Sequence, residues 1–150
     1  ARRLARHVDC CRPWEPTDVP VVASQFLVVD AVAGSAALHD AIESRLPAFA
    51  VTRATSPLDG VTTWTEIFAA GVTKGSGCAW LAEHLALPKR APRVAVGNDY
   101  NDLALLGWAS RAFVTEDAPS AVRALGDAVP MAGKGAVRHA IARAFGTAGA

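Results

Sequence analysis

From Arg93 onward the chain alternates short apolar runs with helix-compatible stretches, and this rhythm constrains the fold more than any other feature. RVAVGND reads as a buried strand, Asn101 to Ala109 as a helix, and RAFVTED as a second strand. PSAVRALG follows as a helix, AVPMAG as a short strand, and Ala136 to Phe145 as a closing helix. Strands that alternate with helices pair in parallel through helical crossovers. Residues 73–150 are therefore expected to form part of a doubly wound α/β layer.

The upstream part has a different pattern. Residues 1–19 read as a helix remnant and a loop broken by Pro13 and Pro16. PVVASQFLVVD (20–30) is Val-rich and strand-like. Ser35 is a candidate N-cap for the helical run AALHDAIESRL, which Pro47 ends. AFAVTRATS and TTWTEIFAA flank Pro57, Asp59 and Gly60, the punctuation of a strand pair. Residues 1–72 thus read as a smaller α+β module. Thr73 then caps an expected amphipathic helix to Leu87, with Ala79, Leu81, Ala82 and Leu85 turned inward and Cys78 on the apolar side.

Composition removes several functional classes. A chain of 150 residues, 51% hydrophobic and 19% charged, is one domain's worth of ordinary globular sequence rather than a disordered tail. A formal charge of +1 and 7% aromatic residues give no nucleic-acid footprint. The apolar runs are strand-sized, too short to span a bilayer. Cys10, Cys11 and Cys78 show neither a disulfide framework nor zinc-type spacing, which favours a reducing cytoplasm. Residue 1 is Ala and no secretory leader follows, so a processed start or a piece of a longer protein is expected. His7, His39, His84 and His139 lack paired ligand spacing and are expected on helix surfaces.

The chemistry concentrates in two places. Gly97-Asn98-Asp99-Tyr100-Asn101-Asp102 sets carboxylates and carboxamides where an apolar strand runs into a helix, the end at which open α/β sheets bind ligands. Asn98, Asp99 and Asp102 could offer oxygens to Mg²⁺, and they equally suit a helix cap and turn. Lys74 stands in the first turn of a helix, where a cation opposes the helix dipole. Such a cost implies a partner, such as a phosphate or an aspartate, while a solvated lysine remains the plainer alternative.

EIFAAGVTKG, a strand running into GNDYND, and VTEDAPSAVRALGDAV together resemble the Cof-like branch of the haloacid-dehalogenase superfamily of phosphatases. The resemblance is strong over residues 62–145 and topological over 20–61, where it implies the second half of a type-two cap. It implies that Lys74 binds phosphate, that Asp102 with Asp99 or Asn98 holds Mg²⁺, and that Asn101 is a hydrogen-bonding partner at the substrate. The fold implied is a partial doubly wound parallel sheet preceded by part of an α+β cap. The function implied is a Mg²⁺-dependent phosphohydrolase acting on small phosphorylated metabolites, sugar phosphates foremost, through an aspartyl phosphate.

Two departures qualify it. Asn98 stands where most relatives place an Asp, and the family's nucleophilic Asp-x-Asp occurs nowhere in the sequence. FLVVDAVAGS, with Asp30, imitates that motif, but Val32 has no proton to give as general acid, so the segment is read as a cap strand. The chain alone is expected to be inactive, with the missing N-terminal segment or another chain as partner. A non-catalytic interaction module or a relic of the fold is the alternative.

Overall fold

The computed structural model describes residues 22–30 and 36–146, together with Asp9, Glu15 and Val32. The β-branched runs of the first part pair antiparallel. Strand β1 (Phe26–Val29) lies beside β3 (Thr63–Phe68), which also pairs with β2 (Ala50–Thr55), giving the order β1-β3-β2. The expected hairpin is present, in register from Thr55↔Thr63 to Ala50↔Phe68. Asp59 shapes its turn by accepting from the amides of Val61 and Thr62, while Gly60 takes a left-handed φ of 73°. Strand β1 is shorter than the 20–30 run: residues 22–25 lie outside it.

Helix α1 (Ala37–Arg45) follows the expected run. Ala36 holds its N-cap position without a side-chain bond, and Ser35, the expected cap, lies outside the described residues. So do His7, Cys10, Cys11 and most of residues 1–19. His39 departs from expectation. It is buried rather than on the helix surface, with Nδ1 3.5 Å from the Thr65 hydroxyl on β3. Helix α1 packs on this sheet, so a position that the local sequence leaves polar becomes interior.

The second part is the alternating layer. Strands β4 (Val94–Gly97), β5 (Arg111–Thr115) and β6 (Asp127–Val129) pair in parallel in the order β4-β5-β6. Helix α2 (Lys74–His84) precedes them, α3 (Leu103–Trp108) and α4 (Ser120–Arg123) cross between them, and α5 (Ala136–Phe145) closes the chain. Strand pleating splits the core into two layers. Ala95 and Val114 face Leu106, Ala118 and Val122, while Phe113 and Val129 face Ala136 and Ala140 with Val94 and Val96 alongside. Phe113 is fully buried, which stabilises by about 1.5–3 kcal/mol relative to an exposed side chain.

Helix α2 does not turn the expected stripe inward. Ala79, Leu81 and Leu85 are exposed, and its buried side is Gly75 with the half-buried Cys78 and Ala82. The cause is a backbone-to-backbone approach: a Cβ on Gly75 would lie 2.3 Å from the Ala104 carbonyl oxygen of α3. That contact fixes which way the helix faces, overriding the apolar pattern. Cys78 is a free thiol.

Candidate active site

The loop after β4 is built to fold back on itself. A Cβ on Gly97 would meet the Asp102 Cβ at 2.8 Å and Leu106 Cδ1 at 3.1 Å, so only glycine lets the turn close this tightly. Asp102, almost fully buried, then accepts at Oδ2 from the Asn98 amide (2.9 Å) and, more weakly, the Asp99 amide (3.4 Å). A short 3-10 turn, Tyr100–Asp102, carries the chain into α3.

Lys74 reaches this turn from α2. Thr73 caps that helix as expected: its hydroxyl accepts from the Ser76 amide at 3.0 Å, and the Ser76 hydroxyl accepts from the Thr73 amide at 2.9 Å. The Gly75–Ala104 approach brings the first turn of α2 against the loop. Lys74 Nζ donates to Asn101 Oδ1 at 3.1 Å and to Asp102 Oδ1 at 2.5 Å. The cation that is costly at a helix N-terminus has found a carboxylate there. Its side chain is 48% exposed against 6% for Asp102, so the ammonium faces solvent while its partner does not.

Asp99 takes a different direction. Its Oδ1 accepts from the Tyr100 amide at 2.8 Å, and its Oδ2 from the Thr55 amide at 2.5 Å. The carboxylate thereby ties the end of β2 to the loop. Nearby, the Arg53 guanidinium of β2 sits 4.6 Å from the centre of the Tyr100 ring. Between hairpin and loop lies a cavity of about 570 Å³ whose walls include Arg53, Glu66, Phe68, Lys74, Tyr100 and Asn101. Asn98 is exposed at the loop's outer edge.

Sequence reasoning brought Lys74, Asn101 and Asp102 to one place but missed Thr55, Arg53 and Gly75. A backbone amide and a tether across 44 residues leave no local signal. Gly75 did leave one, as a glycine in a helix, a position that costs stability unless close packing requires it.

Each oxygen of Asp102 and of Asp99 already accepts from a protein donor, so Mg²⁺ bound here would share these carboxylates with the amides and the ammonium that hold them, beside the neutral carboxamide of Asn98. Among the described residues no three His, Cys, Asp or Glu side chains cluster closely enough to hold a metal ion. Asp30 follows β1 in the antiparallel sheet, its amide donating to the Thr63 carbonyl at 3.0 Å. It is buried, with Oδ1 accepting from the Val32 amide at 2.8 Å. No helix among the described residues is long and apolar enough to cross a membrane.

The sequence model of the haloacid dehalogenase-like hydrolases matches residues 21–141. No curated protein sequence matches the chain. Among solved structures, a HAD/COF-like hydrolase from Plasmodium vivax superposes with a TM-score of 0.64 at 19% identity, over 83% of this chain and 43% of its own. A haloacid dehalogenase-like hydrolase from B. subtilis gives 0.64 at 19%, over 87% and 43%. A Thermotoga maritima protein gives 0.60 at 22%, over 95% and 53%. At such identities the likeness is one of fold, and the chain spans about half the length of these structures. With the sequence match extending from β1 into α5, the chain belongs to the haloacid dehalogenase-like hydrolase family.

Proposed function

We propose that residues 73–146 supply the phosphate-binding half of a Mg²⁺-dependent phosphohydrolase for small phosphorylated metabolites such as sugar phosphates. The observation that carries this reading is Lys74 meeting Asn101 and Asp102 at the carboxyl end of β4. An ammonium has three donors, and two are committed to Asn101 and Asp102, so the third can meet a phosphate oxygen. Asn101 gives its carbonyl to Lys74, which leaves its NH₂ as a second donor. Such fixed donors stabilise charge that develops on a transferring phosphoryl group. The antiparallel sheet stands over the cavity as half of a substrate-selecting cap.

Lys74 and Asp102 cancel each other's charge, so a phosphate dianion needs further positive charge from outside this cluster. A divalent ion would supply it, with carboxylates from outside this loop completing the ligands that Asp99 and Asp102 share with protein donors. Covalent catalysis also needs a nucleophile, and no Asp-x-Asp is present. Those groups would come from the missing N-terminal segment or from another chain. The half-buried free thiol of Cys78 suits a reducing cytoplasm.

Titration with inorganic phosphate, followed by the Lys74 side-chain and Asn101 amide resonances, tests the site. Saturable shifts that vanish in Lys74→Met support it, and equal binding by wild type and Lys74→Met refutes it. The chain alone, given Mg²⁺ and a panel of sugar phosphates, should show no turnover. Turnover abolished by Asp30→Asn would overturn the missing-nucleophile reading.

A further inference from the structure

The cavity between hairpin and loop is unevenly charged. Lys74 lines it from α2, and its ammonium is already answered by the buried Asp102 carboxylate. The hairpin contributes Glu66 of β3 and Arg53 of β2, and α1 contributes Asp40 and Glu43. Away from Lys74 the walls thus carry three carboxylates against one guanidinium. Arg53 is turned onto the Tyr100 ring, 4.6 Å from its centre. Glu43 lies 4.0 Å from His39 Nε2, and Asp40 is exposed, so water serves it. Glu66 differs from both. It is half-buried, yet its carboxylate has neither an ion pair nor a hydrogen bond among the described residues. Its backbone is paired on both sides, with Leu27 of β1 and Thr52 of β2, so it is the side chain that reaches the cavity. A carboxylate taken partly out of water without a partner is unfavourable, and a cation brought to it removes that cost.

We infer that this cavity selects phosphate esters whose other end carries an ammonium group, and that Glu66 is the specificity-determining residue that reads it. The inference rests on the phosphate site proposed at Lys74: with the phosphoryl group held there, the rest of the substrate extends toward the hairpin. A cavity of about 570 Å³ takes a hexose-sized body, and the Phe68 and Tyr100 rings offer it apolar faces. The substrate class is an amino-sugar phosphate or another phosphorylated amine of that size. Charge decides against two other classes. A second phosphate or a carboxylate would meet three carboxylates and a guanidinium already turned onto a ring. A neutral sugar would hydrogen-bond to Glu66 and leave its charge uncompensated, whereas an ammonium supplies both the donor and the charge.

The probes are D-glucosamine 6-phosphate and D-glucose 6-phosphate, which differ only in an ammonium for a hydroxyl, with inorganic phosphate as the third ligand. Each is titrated into the chain at low salt, with the amine protonated, and followed by NMR. The amine ester should bind about fivefold tighter than the neutral one, the effect of a partly exposed ion pair, and the preference should shrink as salt is added. Glu66→Gln keeps the shape and removes the charge, so it should bring the ratio to one without changing the affinity for glucose 6-phosphate. Glu116→Gln, at an exposed acid that does not line the cavity, should leave the ratio intact. Lys74→Met should weaken both esters alike. In the wild type the amine ester should also move the Glu66 side-chain resonances more than the neutral ester does, a readout that needs no substitution. Equal affinities while inorganic phosphate binds, a preference that survives Glu66→Gln, or larger Glu66 shifts with the neutral ester overturn the inference and leave the Lys74 site standing. An amine preference through Glu66 without any binding of inorganic phosphate keeps the inference and refutes the Lys74 site. Absence of both refutes both.

Discussion

The contact between Gly75 and Ala104 makes a prediction that one substitution, tried twice in the same helix, can settle. Placing Ala at 75 puts a methyl group 2.3 Å from a backbone oxygen and 2.7 Å from its carbon, where nothing can rotate away. Helix α2 must back off from α3 by roughly an ångström, and overpacking of this kind costs about 1–3 kcal/mol. Gly77, two residues on, has nothing within 4 Å of its Cβ position. There Ala should stabilise by up to about 1 kcal/mol, because glycine is the poorer helix former. Both variants share that gain, so the difference between them isolates the clash. For a domain of this size each kcal/mol moves the midpoint by about 2–4 °C, which separates Gly75→Ala from Gly77→Ala by about 2–12 °C. Thermal unfolding followed by circular dichroism reads it directly. Gly75→Ala should also perturb the Asn101 and Asp102 amides, since Lys74 moves with the helix. Coincident midpoints for the two variants would show that α2 is free to shift and does not fix Lys74 in place.

Further tests follow from the same contacts. Lys74→Met leaves the buried Asp102 Oδ1 without its cation and should cost about 1–2 kcal/mol, moderated by the lysine's exposure; unchanged urea denaturation would remove the pair from the stability account. Asp99→Ala frees the Thr55 amide, so hydrogen exchange at Thr55 should accelerate while that at Val114 stays slow; unaltered exchange would show that the tether is not formed in solution. The Thr62 hydroxyl and the amides of Thr62 and Val61 hold Asp59 at about 2, below its ordinary 3.8. A depressed folded value means that this carboxylate supports the hairpin turn above pH 3.8 and that its support is lost as pH falls through about 2. An NMR titration giving Asp59 its ordinary value would refute that. Calorimetry with Mg²⁺ should show no binding to this chain; a heat abolished in Asp102→Asn would mean that the loop reorganises to release its carboxylates.

What could be read from the sequence is what local chemistry determines. The β-branched runs, the Asp59–Gly60 turn and the Thr73 cap act over a few residues, and each appears close to where the residues place it. A cation at a helix N-terminus calls only for some partner; that the Asn101 and Asp102 loop supplies it is what the family resemblance implies, and the contacts of Lys74 agree. Long-range packing was not legible. Helix α2 carries Leu81 and Leu85 at helical spacing, yet both stay exposed, because a glycine with no side chain, not an apolar stripe, decides the buried face. His39 is buried for a similar reason: the sheet beneath α1 brings against it Thr65, 26 positions away.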